Sequence, residues 1–187
     1  MQVRKLLVIG ATLVSFVAAG TAFAQDKAAK QAEVKAKAAA TLEDFYKADP
    51  KVKGEVAKAP GYAVFTTYGL SFLVGGAGGK GLAHDNKTKK DVYMELAQAS
   101  AGVQVGASDT RYLFVFKDAK SMNEFIEKGW DASAGASVGA GTGKESAGAA
   151  AGVGAFTGGK LYVLTKAGLQ MGAAVAGTKA WKDTDLN

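Results

Sequence analysis

Trp130-Asp-Ala-Ser-Ala-Gly-Ala-Ser-Val-Gly-Ala-Gly-Thr-Gly143 is the stretch on which the fold turns. Nearly every side chain in it is Gly, Ala or Ser. So little bulk cannot build a core alone. The segment is either a disordered linker or a strand packed so closely that large side chains are excluded. Its surroundings favour the strand. A helix with an apolar face precedes it, Trp130 opens it, and strand-like text follows it. Trp130 is expected to be buried at its start. Ala136→Leu is then expected to destabilise the fold by roughly 1–3 kcal/mol through overpacking, measured by thermal melting.

Upstream, residues 118–128 (DAKSMNEFIEK) carry Met122, Phe125 and Ile126 on one helical face. Ser121 to Glu124 fits a capping box, and Gly129 supplies the stop. Before this helix the chain is β in character. GYAVFTT from Gly61, LSFLVGGAGGKGLA, DVYMELAQASAGVQVGA and RYLFVF are rich in aromatic and β-branched residues broken by glycine. His84–Lys90 (HDNKTKK) reads as a turn between antiparallel strands, with Asp85 and Asn86 as turn formers. Asp109-Thr110 reads as a second tight turn. After residue 143 a turn at Gly143-Lys144-Glu145 leads to further strands, and a polar tail over 183–187 is expected to fray.

The amino-terminal third is different. Residues 26–48 predict a helix, with Val34, Ala38, Leu42 and Phe45 on one stripe. Asp26–Lys30, Glu33–Lys37 and Glu43–Lys47 are favourable i,i+4 pairs. Five Lys face five acids over 26–49, so this helix is neutral. Asp49-Pro50 opens a short second helix that ends at Pro60-Gly61. Helices and strands are segregated, which predicts an α+β fold. Its core is a glycine-rich antiparallel sheet, barrel- or sandwich-like, with amino-terminal helices and one inserted helix.

The chain starts Met1-Gln-Val-Arg-Lys5, runs apolar from Leu6 to Ala19 and reaches Ala22-Phe-Ala24. That layout predicts a secretory signal peptide over 1–24. The expected division is then 1–24 signal, 25–49 helix, 50–182 domain and 183–187 tail. The product is expected to be periplasmic or secreted, and peripheral to the outer or inner membrane if it meets one. The chain has no Cys, which excludes disulfides and thiolate chemistry. Without residues 1–24 the formal charge falls from +6 to +4. That is mild, and it permits anionic surfaces without demanding nucleic acid.

Few residues suggest chemistry. Gly76-Ala-Gly78-Gly-Lys-Gly81 matches GxGxxG, but a Lys-rich turn follows it where a dinucleotide site needs a helix. No cofactor is expected. His84 is the lone histidine and reads as a solvated turn residue, and no metal set accompanies it. Glu124 and Glu127 sit beside Lys120 and Lys128 on a solvated helix face. No catalytic constellation emerges, so a binding module is expected in place of an enzyme. Basic charge concentrates in Lys51, Lys53, Lys58, Lys80, Lys87, Lys89 and Lys90. These are the candidates for anionic headgroups. No aromatic interleaves the lysines of 80–90, which argues against nucleic acid.

Five pieces in order resemble the SYLF domain, a lipid-binding domain of eukaryotic actin-patch and phosphoinositide-binding proteins and of many exported bacterial proteins. Gly61-Tyr-Ala-Val-Phe65 is similar to its opening strand. Val74-Gly-Gly-Ala-Gly-Gly-Lys-Gly81 resembles its glycine-rich strand, and Ala101-Gly-Val-Gln-Val-Gly-Ala107 its "x-G-x-Q-x-G-A" strand. Phe125 to Val138 looks like its helix and small-residue strand, and Lys166-Ala-Gly-Leu169 with Gly172 and Gly177 like its close. The match covers about residues 52–180. Thr66 stands where the family often has Pro, and the neutral preceding helix differs from the basic or amphipathic segment of the eukaryotic members. The resemblance implies lipid or membrane binding, with Gly76, Gly78, Gly102, Gly106, Trp130 and Gly135 in structural roles. Two alternatives stand beside it. One is a periplasmic structural or stress-related protein that self-associates through Gly135, Gly139 and Gly143 at small-xxx-small spacing. The other is a small outer-membrane β-barrel, disfavoured because 133–143 offers lipid no apolar face.

Overall fold

Alternation of apolar residues along the strands gives the sheet two apolar faces. The structure is a computed structural model that describes residues 14–71, 75–100, 106–132, 156–165, 168–171 and 177–187. Helix α1 spans Val14–Ala48 and α2 spans Pro50–Lys58. Strands β1 (Gly61–Ser71), β2 (Gly75–Asp85), β3 (Asp91–Ser100) and β4 (Gly106–Phe116) follow. Then come α3 (Ala119–Lys128), β5 (Trp130–Asp131), β6 (Gly159–Thr165), β7 (Gly168–Met171) and β8 (Thr178–Lys182). Among the described residues these eight strands join in one antiparallel sheet in the order β5-β8-β3-β2-β1-β4-β6-β7. It curls into a half-barrel, so the expectation of an α+β fold around a barrel-like antiparallel sheet holds.

Each face of the sheet carries its own core. Val64, Leu82, Leu113, Val115 and Tyr162 face the amino-terminal helices and pack on Ala38, Phe45, Val52 and Val56. Ala63, Phe65, Met94, Tyr112, Phe114 and Phe116, at the alternate strand positions, face the other way, onto Met122 and Phe125 of α3. Phe114 is the hub of that second core. Its ring centroid lies 4.9 Å from Phe125, 5.0 Å from Trp130 and 5.1 Å from Phe156. Such aromatic pairs add about 0.5–1.5 kcal/mol each beyond area burial.

Glycine in β2 lets the strands approach. A Cβ on Gly81 would lie 2.1 Å from the Val64 carbonyl oxygen, and one on Gly79 would lie 2.3 Å from that of Thr66. Both positions are closed to any side chain by the backbone of β1.

Several expectations need correction. Asp109 and Thr110 do not turn: β4 runs through them, paired with Tyr68 and Thr67 of β1. The α3 cap is Asp118, whose carboxylate accepts from the Ser121 amide at 2.7 Å, so Ser121 lies inside the first turn. A carboxylate there also meets the positive helix end, which favours it over a hydroxyl. Lys47 pairs at i,i+3 with Asp44 at 3.9 Å, in place of the expected i,i+4 partner Glu43. Helix α1 starts at Val14, ahead of the expected start at residue 26, because the Ala-rich sequence there favours helix. The tail is docked, not frayed: Asp183 and Leu186 are 2% and 3% exposed. Trp130 is half-buried, packed against the second core. The run 133–143, with Gly135 and Ala136, lies outside the described residues, as do Gly102 and the turn at 143–145.

Candidate functional site

The β2–β3 turn is built by Asp85, whose carboxylate accepts from the Lys87 and Thr88 amides at 2.7 and 2.9 Å. Those amides hold the Asp85 pKa below its ordinary value. The Lys89 amide closes the turn on the Asp85 carbonyl at 2.8 Å, with Lys89 at φ +59°. That left-handed backbone costs a side-chain-bearing residue roughly 1 kcal/mol.

Asn86 then fastens the turn to α2. Its Nδ2 donates to the carbonyls of Val56 and Ala59 at 2.7 and 2.9 Å, and its amide donates to Pro60 at 2.9 Å. Two basic segments separated in sequence, 51–58 and 87–90, thereby become neighbours. Lys51, Lys53, Lys58, Lys87, Lys89 and Lys90 are all exposed. None of the six forms an ion pair among the described residues. Lys53 stands 5.9 Å from the Tyr46 ring centroid, a cation–π distance.

Lys80 does not belong to this group. Its ammonium lies 2.9 Å from Glu95 and 2.5 Å from Asp183, at the middle of β2 and away from the turn. Burial would raise the Asp183 pKa, but Lys80 and the amides of Leu186 and Asp185 outweigh it and hold the carboxyl below its ordinary range. Lys80 is a structural clasp for the carboxy-terminal tail. Around it, Gln31 donates to the Leu186 carbonyl at 2.7 Å, and Asn187 exchanges hydrogen bonds with the Tyr93 backbone at 2.7 and 3.0 Å.

His84 is not a free turn residue but half-buried and paired. It sits near the end of β2 with Nδ1 2.6 Å from Asp91, and its ring lies tilted against Tyr62 with centroids 5.2 Å apart. The second Asp91 oxygen takes Lys35 of α1 at 3.0 Å. Burial would raise the Asp91 pKa, and His84 and Lys35 pull it below its ordinary value. The cluster ties α1 to the sheet. Among the described residues no group of three potential metal ligands occurs.

Of the glycines with expected structural roles, Gly76 pairs with Ala99 and Gly106 with Ser71 inside the ladder. Gly78 pairs with Ala97, and a Cβ added there would meet nothing within 4 Å. The sequence reading overlooked Trp181, which is 41% exposed with Nε1 2.9 Å from Glu95. Its signal was a tryptophan at a strand position between two lysines, Lys179 and Lys182, where a polar residue would suffice.

The chain is thus an α+β protein with a curled antiparallel sheet and a lysine-rich end formed by α2 and the β2–β3 turn. No family model matches the sequence. The chain is 32% identical over 163 residues to beta cell expansion factor A of Aeromonas veronii, an alignment covering 86% of this chain and 60% of that protein. The alignment therefore spans well under the full length of that curated relative.

Proposed function

We propose that this chain is an exported, membrane-associating protein of the SYLF type that recognises anionic lipid headgroups through α2 and the β2–β3 turn. The observation that carries this is the junction at Asn86, which gathers onto one end six lysines that form no ion pair among the described residues. Near an anionic membrane each lysine contributes on the order of 1 kcal/mol. Lys89 supports the reading, because it occupies a backbone conformation in which glycine would sit more comfortably. The helices packed on both faces of the sheet favour peripheral association over spanning by strands. No helix among the described residues is long and apolar enough to cross a membrane. The name of the Aeromonas relative refers to an effect of that protein on beta cells; the headgroup reading rests on this chain's own lysines.

Co-sedimentation with vesicles tests it. Binding is expected to phosphatidylserine-containing vesicles at low salt and to fade at high salt, with little binding to phosphatidylcholine alone. Replacing Lys87, Lys89 and Lys90 with Glu should weaken low-salt binding roughly a hundredfold. Lys89→Gly should weaken binding while leaving stability equal or higher. Equal binding to both vesicle types, or binding to neither, would sink the reading.

A further inference from the structure

Helix α1 packs tightly on the sheet where β1, β2 and β4 present Val64, Leu82 and Leu113. Further toward its amino terminus the sheet beneath it changes. There the register partners Gly78 and Ala97 form the floor, and the helix leaves a cleft of about 680 Å³. That volume lies within the usual range for small-molecule sites. Val34 of α1 forms its roof and Trp181 one wall. Trp181 is the large apolar side chain left exposed among the described residues, and its bond to Glu95 fixes the ring.

Gly78 is the telling residue. Its neighbours Gly79 and Gly81 must be glycine because β1 backbone occupies the place of a side chain. Gly78 has no such constraint. Its absent side chain is what keeps the cleft open. The lip carries Lys30 and Lys37, each in an exposed i,i+4 pair, with Asp26 at 2.8 Å and Glu33 at 2.6 Å. Such surface pairs are weak and exchange partners readily, so either ammonium can turn to an incoming anion. Lys80, tied to Glu95 and Asp183, is held in place behind them.

We infer that this cleft binds a single acyl chain with an anionic end group, the chemistry of a fatty acid. The tail lies on the floor of Gly78 and Ala97 beside Trp181, and the head meets Lys30 and Lys37. The site is separate from the lysine-rich end and does not depend on the headgroup reading.

Titration of the full chain with saturated fatty acids of eight to fourteen carbons, followed by tryptophan fluorescence and calorimetry, tests it. Affinity is expected to rise up to about fourfold per added methylene until the cleft is full. Gly78→Val should cut affinity at least tenfold while the melting temperature stays level or rises, and Ala97→Leu should do the same. Lys30→Glu with Lys37→Glu should weaken binding of the acids and spare the corresponding alcohols. Trp181→Phe should remove most of the fluorescence response while calorimetric binding persists. A chain drawn from the bilayer, in place of a free acid, would appear as a phospholipid in the native mass spectrum, and Gly78→Val should lose that species too. Glu at 87, 89 and 90 should leave fatty-acid affinity unchanged, so failure of the headgroup reading is distinguishable. Affinity independent of chain length, or parent-like affinity in a folded Gly78→Val variant, would overturn the inference.

Discussion

At Gly81 a single methyl group decides whether two strands can meet. The Val64 carbonyl and the Phe65 Cα stand at 2.1 and 2.9 Å from where a Cβ would be. Gly81→Ala is therefore expected to destabilise the protein by about 2–3 kcal/mol in urea denaturation, since β1 must shift to admit it. Gly78→Ala, three residues earlier on the same strand, should be neutral or stabilising by up to about 1 kcal/mol, because it meets open space and restricts the unfolded chain. The two glycines are indistinguishable in the motif GAGGKG. A sequence reports that side chains are missing; only the neighbouring strand shows which absences are compulsory. His84 teaches the same lesson. Its place beside Asp85 and Asn86 suggested a solvated turn, whereas Asp91, seven residues later, pairs with it across the hairpin.

Among the elements, the helices were the most legible. Asp49 and Pro50 start α2 as their chemistry dictates, the Asp49 carboxylate accepting from the Lys51 amide at 2.9 Å. The stripe Val34, Ala38, Leu42, Phe45 is the buried or half-buried face of α1. Met122 and Phe125 bury α3, and Gly129 ends it at φ +74°. These signals are local, so they survive without tertiary context. The contact between α2 and the β2–β3 turn is not local. Asn86→Ala removes two side-chain hydrogen bonds and leaves carbonyls at the end of α2 without those donors. It should cost about 1–2 kcal/mol by chemical denaturation and raise the hydrogen exchange of the turn amides. Vesicle binding should weaken in the same variant, because the two lysine groups lose their fixed spacing.

Across the whole molecule, carboxylates with lowered pKa values tie distant segments together. Asp91 joins the sheet to α1, Asp183 joins the tail to β2, and Glu55 joins α2 to β6. Hydrogen bonds from Lys160 and Tyr162 lower the Glu55 pKa, and burial beside that carboxylate pushes the Tyr162 hydroxyl up. A carboxyl whose folded pKa is depressed stabilises fully above its unfolded value and loses that stabilisation as pH falls through the folded value. Stability is therefore expected to hold at neutral pH and to fall below about pH 4. Asp183→Asn should lower stability at pH 7 by about 2 kcal/mol and flatten the acid limb, read from denaturation midpoints at pH 7 and pH 3. An unchanged acid limb would show that the tail clasp contributes nothing.

Sequence alone determined the class of this protein: segregated helices and alternating strands, with residues along each strand divided between two faces. Periodicity of 2 and 3.6 is a property of the backbone and needs no partner to be read. Tertiary structure decided three other things. It joined the described strands in one curled sheet, with β8 inserted between β5 and β3. It separated Lys80 from the six lysines with which charge counting had grouped it. It also opened a cleft over Gly78 that no motif marked. Each of these depends on which residues meet across long sequence distances, and pairing of that kind is set by the fold as a whole.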